Sequence, residues 1–468
     1  MSGEKRIRAF LTHLKSNERL REEGISEEKC AQSEAVLPPI ATLEEGQLFP
    51  TFPQVLETSK KLGGVFTYEI IGGKRITFVT DPATYRIVFF ARDSKDVKLD
   101  SAKIAYHWFG IPKQIAHDYT RPGLDTTRQA MAYGKVKAAN DKVGTYILNT
   151  FKEWPIKGTR DLWDVAMLTF IPVVQHLFGE DTFAASACPH LAETLWAYDE
   201  DFKKVANGMP RKFFPEMEER AQELASVFET SIEKGNHLSD QCPVMKARLS
   251  VMDDPDNKKI SPKDKGRFMF SVFWASQGNT IPGTFWMLLL ILSHPRVKAR
   301  LTEEVRSDKA FMKTTTNFGT EHLPYLQACV KETLRLKVAN ITLRDVVNSV
   351  EVEDSNGKKF IIPKGDEVTV ASYVQHFDDR VYENPHEFRP ERWLEKDFSD
   401  YEWFPFGAGT NKCSGRHLAQ MELATVAALF VRTFDCDIID PVPEEDWENT
   451  VAMVAPAKRS CRFTYKKL

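Results

Sequence analysis

No glycine-serine stretch, proline-rich tract or block of like charge interrupts these 468 residues. With no linker to divide it, the chain reads as one large domain, 47–468, behind a charged segment, 1–46. The net charge of −3 lacks the basic excess that nucleic-acid binding requires, so no nucleic acid is expected as a partner. Cysteines are few and unpaired: seven of them, at 30, 188, 242, 329, 413, 436 and 461, with no Cys-x-x-Cys spacing. An odd number at such spacings argues against a disulfide framework or a zinc site and fits a reducing compartment. The N-terminus carries no apolar run long enough for a signal peptide or a transmembrane segment. It reads as an amphipathic helix, and Phe10, Leu11 and Leu14 would allow peripheral contact with a membrane surface. The expected location is cytoplasmic, or peripheral to a membrane if an anchor has been removed.

What the chain does have is aromatic bulk, with 31 Phe to furnish a large apolar core or pocket. Two β-branched and aromatic runs, ending at Ile71 and beginning at Arg75, flank Gly72-Gly73 and read as a hairpin. From about 126 to 340 apolar residues recur at helical spacing. The longest apolar stretch, Phe268 to Leu292, contains Gln277, Asn279 and Pro282 and reads as one long buried helix rather than a membrane span. Beyond 340 the pattern turns strand-like, with hairpins expected at Asn356-Gly357 and Lys364-Gly365. A last helix from about Gly415 to Phe434 and a strand pair close the chain. The fold class is mainly α with small β-sheets (α+β).

Cys413 lies in Phe406-Gly407-Ala408-Gly409-Thr410-Asn411-Lys412-Cys413-Ser414-Gly415-Arg416-His417-Leu418-Ala419. Flanking glycines let backbone N–H groups approach a thiolate, and a helix starting just after the sulfur adds its positive dipole end. An isolated cysteine is more often a small buried hydrophobe, but this frame suits a sulfur kept deprotonated on iron. The pattern Phe-x-x-Gly-x-x-x-Cys-x-Gly-x-x-Leu-Ala resembles the haem-binding loop of cytochromes P450. The resemblance implies a helical bundle around a buried haem b (iron protoporphyrin IX). Cys413 would be the iron ligand, and Phe406, Gly407, Asn411 and Gly415 would belong to the cofactor-binding loop.

Two more segments stand in the order found in that family. Glu332 and Arg335, in Glu332-Thr333-Leu334-Arg335, are three apart and share a helical face. Downstream, Phe388-Arg389-Pro390-Glu391-Arg392-Trp393 resembles the P450 Pro-Glu-Arg-Phe segment with Trp in the last place. The resemblance implies a triad of buried charges, Glu332, Arg335 and Arg392, whose value depends on full pairing. Arg344 follows on the first strand after that helix, where P450s place an arginine against a haem propionate, and guanidinium suits a carboxylate. Asn411 departs from the pattern. Two residues before the ligand the family carries Arg or His, whereas an amide brings no charge; Arg128 or Lys135 would replace it if the early helix approaches the haem.

The largest departure lies in Phe273-Trp274-Ala275-Ser276-Gln277-Gly278-Asn279-Thr280-Ile281-Pro282-Gly283-Thr284-Phe285-Trp286. P450s have Ala/Gly-Gly-x-Asp/Glu-Thr here, a helix distortion with an acid and an alcohol that relay protons. Ile281 and Pro282 take the places of acid and alcohol, while Pro282, lacking an N–H, would preserve a distortion by another route. The Asn-Thr-x-Pro pattern resembles the branch that holds the sterol 7α- and 12α-hydroxylases and prostacyclin synthase. That implies a monooxygenase hydroxylating a sterol-, lipid- or terpenoid-like substrate with dioxygen and electrons from a separate reductase. The alternative is an isomerase or dehydratase rearranging a lipid endoperoxide or hydroperoxide without a reductase. Sterol hydroxylases carry nearly the same helix and still activate dioxygen, which favours the first.

Asn279 and Thr280 are then the catalytic candidates, Asn279 as a donor to a reacting oxygen or to a water, Thr280 or Thr284 as a proton relay. The alternative reading of Asn279 is that it only satisfies carbonyls freed by Pro282. Trp274 and Trp286 read as packing residues. By analogy with the family, Ala275, Val338, Thr342 and Val451 line a hydrophobic substrate pocket, together with the loop from Tyr106 to Pro112. Lys412 and Arg416 flank Cys413 on the side where electron donors dock, and with no flavin or ferredoxin-like segment present, electrons must come from another protein.

Overall fold

The computed structural model describes residues 35–468 except 45–46, 48, 71–72, 92–93, 207–208, 254–259 and 448–452; the amphipathic helix expected at the N-terminus lies outside the described residues. The architecture is mainly α-helical with small β-sheets. Strands β1 (Ile40–Ala41), β2 (Val65–Ile70), β3 (Lys74–Val79), β4 (Val97–Lys98), β5 (Lys157–Asp161), β6 (Arg344–Val346), β7 (Val350–Glu353), β8 (Lys359–Ile362), β9 (Glu367–Thr369), β10 (Phe434–Ile438) and β11 (Arg462–Lys467) form three sheets. The largest has the order β1-β2-β3-β9-β6-β4, the others β10-β11-β5 and β7-β8.

The expected first hairpin is present, β2 pairing antiparallel with β3 from Val65↔Val79 to Ile70↔Lys74. Phe66 and Phe78, opposite one another, stack at 5.7 Å, the cross-strand aromatic contact that stabilises such a pair. The hairpin at Asn356-Gly357 also forms, joining β7 to β8. The one expected at Lys364-Gly365 does not. There the chain changes sheets: β9 leaves β8 to pair with β3 and β6, and the Gly365 N–H bonds the Val346 carbonyl. A glycine turn signals a reversal but not which edge the next strand will join.

The helices that shape the interior are α1 (Phe52–Leu62), α2 (Ser101–Phe109), α3 (Lys113–Ala130), α4 (Tyr133–Glu153), α5 (Cys188–Ala206), α6 (Pro215–Glu233), α7 (Pro262–Gln277), α8 (Thr280–Ser293), α9 (Pro324–Lys337) and α10 (Arg416–Thr433). The larger of two hydrophobic cores extends from Phe52 to Tyr465, and the smaller, with Val65, Phe89, Val368 and Phe404, lies against the largest sheet. Helix α10 is apolar and buried on almost every side, as a central helix must be. It is tied to α4 by Thr425 Oγ1, which donates to Asn140 Oδ1 at 2.7 Å.

The apolar stretch expected to make one helix makes two. Helix α7 ends at Gln277 and α8 begins at Thr280, with Gly278 and Asn279 between them. The Gly278 N–H still bonds Trp274 O, and Gly283 N–H bonds Asn279 O, so the break is confined to the residues around position 279. Pro282 falls in the first turn of α8, where a backbone N–H has no helical partner, so its missing hydrogen there costs nothing. Among the described residues no helix is long and apolar enough to cross a membrane.

Candidate active site

Of the six described cysteines, five are buried and Cys413 alone is exposed. Its side chain is accessible although many protein atoms surround it. The loop before it is folded back on itself. Cys413 N–H bonds Phe406 O at 2.9 Å, and Gly407 N–H bonds Phe404 O at 3.0 Å. Gly409 is left-handed (φ +65), and a Cβ there would lie 2.3 Å from the Phe89 carbonyl oxygen, so no other residue fits. Gly415 caps α10 directly after the sulfur.

Two opposed influences act on the Cys413 thiol. Burial, the larger, pushes its pKa up; the backbone N–H groups of Gly415 and Arg416 and the Arg416 charge pull it down. Those donors sit where a thiolate needs them, and a coordinated metal removes the proton outright. Arg416 Nη1 donates to Cys413 O at 3.0 Å, and Lys412 pairs with Asp400 at 2.6 Å, so both flanking cations are already engaged.

Arg344 lies on β6 and is buried. Its Nε donates to Val88 O and its Nη1 to Leu343 O, while Nη2 has no partner among the described residues. Burial lowers its pKa to about 10, as for a cation lacking an anion. The Asn411 amide nitrogen is likewise buried without a partner. Asn411 lines a pocket of about 310 Å³ with Lys98, Arg121, Asp125 and Arg128. Lys135 lines a different hollow, so the structure brings Arg128 to Asn411 and adds Arg121, which no sequence motif indicated. An accessible sulfur, an orphaned buried guanidinium N–H and an orphaned amide fit an iron ligand flanked by carboxylates. Haem has that chemistry.

Asn279 stands at the helix break. Its Oδ1 accepts the Val454 N–H at 3.0 Å, a tie to the terminal segment that the sequence did not suggest. That bond leaves Nδ2 as the free donor, with no partner among the described residues. Thr284 donates its hydroxyl to Thr280 O at 2.9 Å, whereas the Thr280 hydroxyl has no partner among the described residues. Ala275 is exposed on α7. Val338 bridges Val454, and Ala339 N–H bonds Met453 O, so the terminal segment joins Asn279 to the end of α9. Thr342 directs its hydroxyl to Val370 O. Val451 lies outside the described residues. Trp274 and Trp286 are packing residues whose ring N–H groups donate to Asp199 and to Ala455 O.

A charge network supports the Cys413 loop from below. Glu332, fully buried on α9, accepts five hydrogen bonds. Oε1 takes Arg335 Nη2 (2.9 Å), Arg389 N (3.1 Å) and Arg392 Nε (2.9 Å); Oε2 takes Arg335 Nε and Trp393 Nε1, each at 2.9 Å. Trp393 thus contributes a donor that phenylalanine would lack. Arg335 continues through Nη1 to His376 O and Pro385 O, both at 2.7 Å. Burial lowers the His376 pKa to about 3, and its neutral Nε2 accepts the Phe404 N–H at 3.2 Å at the start of the loop. Residues 376 and 404 share no motif with 332, so only the tertiary structure reveals this route.

Comparison with known proteins agrees with this arrangement. Residues 181–461 match the family model described as Cytochrome P450. The 24-hydroxycholesterol 7-alpha-hydroxylase of Homo sapiens is 26% identical over 432 residues, 87% of each chain. Cytochrome P450 7A1 of Sus scrofa is 22% identical over 460 residues, again 87% of each. The 5-beta-cholestane-3-alpha,7-alpha-diol 12-alpha-hydroxylase of Sus scrofa is 30% identical over 231 residues, 44% of this chain and 46% of that protein. The chain belongs to the cytochrome P450 family, in its sterol hydroxylase branch.

Proposed function

We propose that this P450 monooxygenase hydroxylates a sterol-like lipid, with dioxygen as oxidant and electrons from a separate reductase. The observation that carries the reading is the helix break, where the Asn279 amide nitrogen and the Thr280 hydroxyl are left without partners among the described residues, near exposed, apolar Ala275. Relatives named as 24-hydroxycholesterol 7-alpha-hydroxylase, matched along 87% of the chain, support the substrate class.

When bound, haem b supplies a thiolate-ligated iron that cleaves dioxygen and inserts one oxygen atom into a C–H bond. Cys413 would supply the thiolate that holds the iron, its loop kept in register by the Phe406 carbonyl on the Cys413 N–H. Arg344 and the Asn411 amide, with Arg128 and Arg121 lining the same pocket as Asn411, would hold its carboxylates. Asn279 is anchored through its oxygen to Val454, so its Nδ2 is oriented before substrate arrives and donates to a reacting oxygen or a water. The Thr280 hydroxyl moves the proton that an acidic residue moves in other P450s. Ala275, Val338 and the terminal segment hold the apolar skeleton and exclude water.

Product should form from a sterol only when reductase and reductant are both supplied. Rapid turnover of a lipid hydroperoxide with neither present would instead establish the isomerase or dehydratase chemistry. In the reductase assay Asn279→Ala should lower the product formed per electron pair consumed by about tenfold, within the 10²–10⁴-fold ceiling for a positioned proton-transfer group. Unchanged coupling would reduce Asn279 to a tie between the helix break and Val454.

A further inference from the structure

Positions 279, 283 and 286 follow helical spacing, so Asn279, Gly283 and Trp286 share one face of the helix break and α8. That face meets the terminal segment. Trp286 Nε1 donates to Ala455 O at 2.6 Å, a Cβ on Gly283 would lie 4.0 Å from Val454 Cγ2, and Asn279 Oδ1 accepts the Val454 N–H. Backbone geometry explains why that N–H is on offer. Val338, just after α9, and Val454 oppose one another as a non-hydrogen-bonded antiparallel pair, with bonds from Ala339 N to Met453 O at 3.1 Å and from Ala455 N to Lys337 O at 2.9 Å. At such a pair the N–H turns away from the partner strand, and here it turns to Asn279. The direction of the Asn279 amide therefore depends on the register of residues 453–455.

A buried cation sits where that register is set. Lys337, the last residue of α9, is 8% exposed; its Nζ lies 4.1 Å from the centre of the Trp286 ring and pairs with Glu445. Glu445 belongs to the terminal segment: it bridges Ala457, and the Asp446 N–H bonds Pro456 O at 2.8 Å, which joins it to the stretch that carries Val454. One residue thus touches all three parts. Its ammonium meets α8 through a ring face and the terminal segment through a carboxylate, while its carbonyl takes the Ala455 N–H. Burial pulls the Lys337 pKa down, and the Glu445 charge pulls it up again. A shielded ammonium over an indole face, with a carboxylate beside it, is a stronger tie than an exposed ion pair. The segment has a separate anchor in Trp447, which packs on Tyr373 at 5.0 Å and on Phe52 at 6.0 Å. Loss of the Lys337 charge would therefore loosen the register without releasing the segment.

We propose that Lys337 is a positioning residue: with Glu445 and Trp286 it locks residues 453–455 in the register that keeps the Asn279 oxygen on Val454, and so keeps the Asn279 amide nitrogen turned toward the reacting oxygen. The proposal rests on the reading of Asn279 as the distal donor. Lys337 acts through Asn279, so its effect vanishes once the amide is gone.

The test is cyanide binding to the ferric holoprotein, followed by the Soret shift, because bound cyanide accepts a hydrogen bond where a reacting oxygen would. Asn279→Ala should raise the cyanide Kd about five- to tenfold, as for one hydrogen bond lost. Lys337→Met, which keeps an apolar chain on Trp286, should raise it about threefold, and Glu445→Gln should do the same, a loss within the worth of a shielded cation–π contact. Lys337→Arg should restore binding to within about twofold of wild type, since guanidinium also stacks on indole and pairs with carboxylate. The double variant Asn279→Ala/Lys337→Met should bind no more weakly than Asn279→Ala. By hydrogen–deuterium exchange, the amides of Val454 and Ala455 should quicken in Lys337→Met and Glu445→Gln while that of Cys413 does not. Losses that multiply in the double variant, or wild-type cyanide affinity in both Lys337→Met and Glu445→Gln, would overturn the positioning role. If Asn279→Ala itself binds cyanide as the wild type does, the reading of Asn279 fails. Unaltered exchange at Val454 in Lys337→Met would then overturn the lock as well, whereas quickened exchange there would support it apart from that reading.

Discussion

Cys413→Ala should abolish the reduced carbon monoxide Soret band characteristic of thiolate ligation. No other described cysteine can take its place: Cys188, Cys242, Cys329, Cys436 and Cys461 are buried. Burial pushes the Cys188 thiol up to about 11 and that of Cys436 up to about 12, and it holds Cys329 well above its ordinary value, so all three stay protonated. Cys413 is buried by its surroundings as well, but it alone combines access with the N–H groups of Gly415 and Arg416. A Cys413→Ser variant separates ligand from scaffold. The loop is closed by the backbone bond from residue 413 to Phe406 O, which serine retains, so the protein should stay folded and the band should still be lost. Persistence of the band in either variant would show that another group ligates the iron.

Glu332→Gln should cost about 3–5 kcal/mol, the usual penalty for stripping one partner from a buried charge pair, against a total of about 5–15 kcal/mol for a domain. Gln keeps the shape of Glu332 but leaves Arg335 and Arg392, 0% and 4% exposed, without their counter-charge. Its amide group also sets a donor against five existing donors. The Arg335–His376–Phe404 route leads from this network to the start of the Cys413 loop, so haem retention should fall together with stability. Denaturant midpoints and haem content of the purified protein measure both. Trp393→Phe removes one bond of the five and should cost only about 1.5–3 kcal/mol, as for a single hydrogen bond to a charged group. A Glu332→Gln cost no greater than that of Trp393→Phe would mean that the network is worth no more than its separate bonds.

Local chemistry made part of this legible beforehand. The glycine frame of Cys413 and the i, i+3 spacing of Glu332 and Arg335 are properties of short segments, and short segments are what a sequence displays directly. The β2–β3 hairpin was readable for the same reason, since the register of a tight hairpin follows from its own residues. Lys364-Gly365 misled because β9 pairs with β3, almost three hundred residues earlier, and no local signal encodes that choice. In the sequence Pro282 reads as a mid-helix distortion, but the helix restarts before it, and proline there belongs to a first turn.

By itself the sequence determined the family and its branch, and it offered the cofactor loop and the iron ligand as expectations to be tested, because each rests on residue types at fixed short spacings. Tertiary structure decided what those residues meet. It gave the Asn279 oxygen to Val454 and so left Nδ2 as the donor, brought Arg128 rather than Lys135 beside Asn411, and set Lys337 against both Trp286 and Glu445. The physical reason is common to all three. A hydrogen bond or ion pair acts over a few ångströms, and which groups come that close is settled by the packing of helices distant in sequence, not by the residues on either side.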